Sequence, residues 1–276
     1  MEEDMEIETM RPGSYRLERD RQVPNSEYYA AEALACDMDI PVVYSTATNR
    51  EPIEEWLEKN KPSTIYRDEG YGWIFVDRDN DDDDDDDNSN DDENSNDDEN
   101  SDEDDNSDED DSSDEDRIRL QEAWEKMKAS ERVICRERIF ELAKTYNVLH
   151  GKWMFWVSTG GKGDLLWSLV AKGIASGNTL ARVAKISATE RDPENRDAFQ
   201  HVVCIYNDNF LDEDEVYESE RTIRSLGIKC PLHYKPDVFT HLGVYRNNPW
   251  HIRPTIYTSN FDLMQNQSII KENMYM

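Results

Sequence analysis

A flat aromatic ring beside a cationic side chain can stack on a nucleic-acid base while the cation neutralises phosphate. The stretch from His233 to Tyr257 offers that pairing. His233, Lys235, His241, Arg246, His251 and Arg253 stand there against one acid, Asp237, interleaved with Tyr234, Phe239, Tyr245, Trp250 and Tyr257. Such a stretch could bind phosphate or RNA, receive an acidic segment of the same chain, or form a solvated edge. Of the seven tryptophans, two suit an exposed stacking surface. Trp156 lies an odd number of residues from Trp153 on one strand and so points to the opposite face. Trp250 sits in a polar loop beside Asn247, Asn248 and Pro249. Trp56, Trp73, Trp153 and Trp167 occupy positions that face a core.

Other chemistries find less support. Gly160-Gly161-Lys162-Gly163-Asp164 lacks the earlier glycine and the Ser or Thr after lysine that a phosphate-cradling P-loop requires. His233, His241 and His251 do not have the spacing of helical metal ligands, and no Cys joins them. The Asp-rich runs lack the glycine that turns a calcium-binding hand. Cys36, Cys135, Cys204 and Cys230 lie far apart, without a Cys-x-x-Cys pair, and read as buried free thiols of a reducing compartment. No nucleophile has a base that spacing identifies. The expectation is a non-enzymatic protein without a cofactor or metal.

The elements that must position these residues follow from periodicity. Asn49–Asn60 reads as a short helix with Asn49 as N-cap and Ile53, Trp56 and Leu57 on one face. Tyr71–Val76 reads as a strand. Ser130 is expected to cap a helix carrying Cys135, Ile139, Leu142, Ala143 and Tyr146 as its stripe. Lys152–Val157 is a strand, followed by a helix capped by Asp164 and ended by Gly177. Strands at Leu180–Ala188 and His201–Tyr206, a helix at Glu213–Leu226 stopped by Gly227, and short strands at Leu232–Tyr234 and Thr255–Thr258 complete the pattern. From Lys152 onward the order β-α-β-β-α-β predicts an α+β fold, with helices on one face of a mostly antiparallel sheet.

The net charge of the 276-residue chain is -32, but it is concentrated. Asp77–Asp116 holds 26 acids and one base, and the remaining residues hold 37 acids and 30 bases. Within that segment a hexad repeats from Asn88 (NSNDDE, NSNDDE, NSDEDD, NSDEDD) with no apolar residue to bury, so self-repulsion predicts an extended, disordered insert. Ser89, Ser95, Ser101, Ser107, Ser112 and Ser113 each have an acid three residues on, the pattern that acidophilic protein kinases select. Each phosphate would add about -1.5 to -2 charges. The expected organisation is a disordered tail over 1–27, one domain built from 28–76 and 117–262, the insert at 77–116 and a C-terminal tail over 263–276. Met1–Met10 has no apolar run resembling a secretory signal, and no stretch is apolar enough to span a membrane. A cytoplasmic or nuclear location is expected; oligomeric state is not legible.

Gly151-Lys152-Trp153, the Asp164-Leu165-Leu166-Trp167 helix, the Ala184-Lys185-Ile186-Ser187 strand and the block Tyr234–Tyr245 with Trp250 resemble a eukaryotic family named after a basophilic leukaemia-expressed protein. The resemblance covers residues 28–76 and 130–260. That family is similar in fold to the cap-binding translation initiation factor 4E. The resemblance therefore implies a curved sheet backed by helices, with a ligand on the concave face. Cap binders clamp a methylated purine between two tryptophans, the second followed by Glu, and the nearest counterpart here is Trp124-Glu125. A phosphate-reading cation belongs on the strand after the central helix, where Lys185 is nearest. The expected function is RNA or nucleotide binding through Trp156, Lys185, Lys235, His241, Tyr245, Arg246, Trp250 and Arg253. The alternative is an interaction module whose residues 77–116 engage basic proteins.

Overall fold

The computed structural model describes residues 40–78, 108–130, 133–191 and 199–273. Short runs rich in aromatic and β-branched residues form β1 (Ile40–Ser45), β2 (Tyr71–Asp77), β3 (Gly151–Ser158), β4 (Val183–Ser187), β5 (Gln200–Asn207), β6 (Leu232–Pro236), β7 (Tyr257–Asp262) and β8 (Gln267–Glu272). They join into one eight-stranded open sheet in the order β1-β2-β4-β5-β3-β6-β7-β8. Only β1 and β2 pair in parallel; every other neighbour is antiparallel. The described residues also contain six α-helices: α1 (Ile53–Lys59), α2 (Asp108–Ser130), α3 (Arg136–Thr145), α4 (Gly161–Ala175), α5 (Glu213–Ser225) and α6 (Asp237–His241). The fold is α+β with a mixed sheet, and the expected β-α-β-β-α-β order runs from β3 to β6.

Side-chain alternation divides the sheet into an inner and an outer face. Trp153, Phe155 and Val157 of β3, Val203 and Ile205 of β5, Ala184 and Ile186 of β4, and Ile74 and Val76 of β2 are all buried on the inner face. There α4 contributes Trp167, Val170 and Ile174, and α5 contributes Val216 and Ile223. Each such large apolar side chain stabilises the fold by about 1.5–3 kcal/mol on leaving water. The indole of Trp153 donates to the Val216 carbonyl at 3.0 Å, which joins α5 to the sheet. Gly151 opens β3 because the Tyr234 hydroxyl lies where any β-carbon would stand.

A buried charge network fixes α5 to the far end of the sheet. Arg224 meets Glu220 at 2.7 Å and donates to the carbonyls of Ile228 at 3.0 Å and Cys230 at 2.7 Å, and to Ser259 Oγ at 2.7 Å. Glu220 also accepts from Ser259 Oγ and from Ser268 Oγ, which brings β7 and β8 into the network. At the start of α5, Asp212 accepts from the Glu215 amide at 3.1 Å as an N-cap. Gly227 ends the helix with φ +91°.

Several boundaries differ from expectation, each for a local reason. Asn49 does not cap α1: its side-chain oxygen accepts from the Ser45 amide at 3.0 Å to close a turn, and the helix starts after Pro52. Ser130 ends α2 instead of capping the next helix, and its hydroxyl donates back to the Lys126 carbonyl at 2.9 Å. Cys135 holds the N-cap position of α3. Asp164 lies inside the first turn of α4, where its carboxylate accepts from the Ser63 amide at 3.0 Å and hydroxyl at 2.7 Å. The end of the acidic segment, Asp108–Asp116, is helical as the first part of α2, and Asp77 belongs to β2. The expected C-terminal tail contains β8, held as an edge strand by its pairing with β7. The tail expected over 1–27 and the insert's residues 79–107 lie outside the described residues.

Candidate nucleotide interface

The outer face carries a different chemistry from the inner one. Register places Lys152, Met154 and Trp156 of β3 on it, beside Tyr206, Cys204 and Val202 of β5. Lys185 of β4 stands next to Cys204, Trp73 and Phe75 of β2 lie beyond it, and Lys235 and His233 of β6 flank Lys152 and Met154. Three lysines thus converge among aromatic rings. Lys185 Nζ lies 4.3 Å from the Trp73 ring centre, 5.4 Å from Phe75 and 5.7 Å from Tyr206. Lys152 Nζ is 5.1 Å from Tyr206, and Lys235 Nζ is 3.6 Å from Tyr245. Each contact is a cation–π attraction worth about 0.5–2 kcal/mol, increasing with desolvation.

The charges on this face are unequally partnered. The α6 helix begins directly after β6, so Asp237 can reach back and pair with Lys152 at 2.5 Å. Burial alone would lower the Lys152 pKa, but the Asp237 carboxylate outweighs it and holds the ammonium well above the usual lysine value. Lys235 is Lys152's cross-strand partner and is also buried. Burial first, and the Lys152 charge second, push its pKa down to about 7. Burial likewise pushes the Cys204 thiol up, against the opposing influence of Lys152 and Lys185. At the rim, Trp156 is 49% exposed and meets the His233 ring edge-on at 5.5 Å.

The candidate residues named from sequence separate into two regions. Trp156, Lys185, Lys235 and Tyr245 come together on or against the outer face. Trp250 and Arg253 line a cleft of about 100 Å³ with Ile134, Cys135, Arg136 and Ile256. Trp250 is not a free stacking surface: it is half-buried, its ring 4.8 Å from that of Trp124 in an edge-on contact. Trp124 is itself 1% exposed, so this tryptophan has no face to offer a purine. Arg246 is exposed in the loop between these regions, and His241 is half-buried at the end of α6. Trp73, expected in the core, lies half-buried on the outer face with Lys185. Ser89, Ser95, Ser101 and Ser107 are outside the described residues, and Ser112 and Ser113 fall within α2.

Residues 8–243 match the family model described as Basophilic leukemia-expressed protein Bles03. The chain belongs to the Bles03 family. The matched span includes β1 to α6 and hence Trp73, Lys152, Trp156, Lys185, Tyr206, Lys235 and Asp237. It stops before Tyr245, Trp250 and Arg253 and before β7 and β8, so the outer-face cluster lies almost wholly inside the Bles03 region and most of the cleft beyond it. Among the described residues no helix is long and apolar enough to cross a membrane.

Lys152, Trp73, Tyr206 and Asp237 were not legible as site residues in the sequence. Asp237 stood out only as the single acid in a cationic stretch, and the structure gives that acid a partner 85 residues earlier in the chain.

Proposed function

We propose that the protein binds RNA or a nucleotide on the outer face of its sheet, on a fold like that of translation initiation factor 4E. The convergence of Lys152, Lys185 and Lys235 with Trp73, Tyr206, Tyr245 and the exposed Trp156 carries the reading. Aromatic rings supply stacking at about 1–3 kcal/mol per base. Lys185 and the charged Lys152 supply the positive potential for phosphate. The fold likeness draws support from a single sheet with α4 and α5 packed on one side and the aromatic, basic residues on the other. Trp124 cannot serve as the second clamp of a cap binder, so stacking falls to Trp156 and the rings around Lys185.

Binding of the full chain to a fluorescent single-stranded RNA and a fluorescent mononucleotide tests this reading. Trp156→Ala and Lys185→Ala should each weaken binding at least about fivefold, the lower end of one stacking or phosphate contact. Binding of neither probe at low salt contradicts it. A second reading draws on the acids of residues 77–116, which would engage basic proteins. Deleting residues 79–107 removes 18 of those 26 acids and should sharply weaken that capture while leaving RNA binding intact or stronger.

A further inference from the structure

The outer face holds two buried lysines directly opposite each other on antiparallel strands, Lys152 and Lys235. Like charges so placed repel, and the one carboxylate between their strands and α6, Asp237, is in contact with Lys152. Lys235 instead faces the Tyr245 ring at 3.6 Å. Desolvation and a neighbouring cation are the two conditions that make a lysine amine nucleophilic near neutral pH. Cys204, the other nucleophile of this region, is held as a thiol by its burial.

We infer that Lys235 is a carbonyl-reactive amine, poised to form an imine with a small aldehyde or ketone that carries an anionic group. In the step, neutral Nζ attacks the carbonyl carbon and the C=O π electrons move to oxygen, giving a carbinolamine. That oxygen then leaves as water with both amine hydrogens, and the nitrogen lone pair closes the C=N bond. No oxidant or reductant is consumed. Lys152 keeps its positive charge beside the reacting amine and draws the anionic group of the carbonyl compound. Tyr245, half-buried in the irregular segment after α6, is the ring that such a compound must displace to reach Nζ. With a pKa of about 7, Lys235 is close to half neutral at pH 7. An exposed lysine is neutral in roughly one molecule in a thousand or fewer.

The inference uses the same face as the proposed nucleotide site but does not require nucleotide binding, and the readouts differ. The full-length protein is treated at pH 7 with pyridoxal 5′-phosphate, or with formaldehyde as a small uncharged probe, and reduced with borohydride. Labelled lysines are then mapped by peptide mass spectrometry. Lys235 should be modified at least about tenfold faster than exposed Lys162, with a rate that rises through a midpoint near pH 7. Pyridoxal 5′-phosphate should show the larger preference. Lys152→Met should slow labelling of the intact Lys235, because Asp237 is then released to pair with Lys235 and raise its pKa. Lys235→Arg should remove the fast-reacting site while leaving the labelling of Lys162 unchanged. Labelling of Lys235 no faster than Lys162 by either probe overturns the inference. So does a Lys235 rate that rises only above pH 10.

Discussion

Under α5 the buried Arg224 meets Glu220, the carbonyls of Ile228 and Cys230, and Ser259. On the outer face, by contrast, the buried Lys235 meets an aromatic ring and the like charge of Lys152. Both are cations taken out of water, at a cost of several kcal/mol each. The first recovers that cost through hydrogen bonds that tie α5 to β7 and β8, so its purpose is visible in the fold. The second has no comparable set of partners, and burial has shifted its pKa instead. A buried amine whose charge is suppressed and whose return is one ring contact points to chemistry with something outside the chain.

The largest test of this contrast removes a partner from the satisfied network. Arg224→Met leaves Glu220 buried without its counter-charge and should lower unfolding free energy by about 3–5 kcal/mol in urea titrations. On the outer face the sign reverses. Lys235 has a folded pKa of about 7, below its ordinary value of 10.5. Between those values the unfolded chain binds the proton and the folded chain does not, so this group's contribution to stability improves as pH rises. Lys235→Met should therefore stabilise the protein at pH 7 by a few kcal/mol, and the gain should shrink steadily towards pH 10.5. A destabilised Lys235→Met variant at pH 7 would break the comparison.

Smaller effects sharpen the division between the two groups of candidate residues. Trp250→Ala removes a ring packed on buried Trp124 and should cost about 2–3 kcal/mol, with little effect on RNA affinity. Trp156→Ala, at a 49% exposed position, should change stability by about 1 kcal/mol or less while weakening RNA or nucleotide binding. The two variants, assayed together by urea denaturation and RNA titration, should show opposite patterns.

These contrasts also mark where sequence reading reaches its limit. The strand alternation of Lys152–Val157 sends Trp153 and Trp156 to opposite faces, and it needs only local information. The elements from β3 to β6 were legible because each is bounded by turn residues and keeps one period; Gly227 is the plainest stop. Trp250 reads as exposed because its neighbours are polar, yet its partner Trp124 is 126 residues away. Trp73 shows the converse failure: a period of two separates faces but does not say which of them helices will cover. Lys152 and Lys235 become a site only through the pairing of β3 with β6, a register set by tertiary structure. β8 reads as tail in the sequence because it is an edge strand with mostly exposed side chains, whose pairing lies in its backbone.

Photocrosslinking of the purified full chain to single-stranded RNA, with mass-spectrometric mapping of the attached residue, tests whether RNA binds the outer face of the sheet. Binding there should give crosslinks at Trp156 of β3 or Tyr206 of β5 that disappear in Trp156→Ala or weaken in Lys185→Ala. No crosslink above background, or crosslinks confined to the Trp250 cleft, would contradict it.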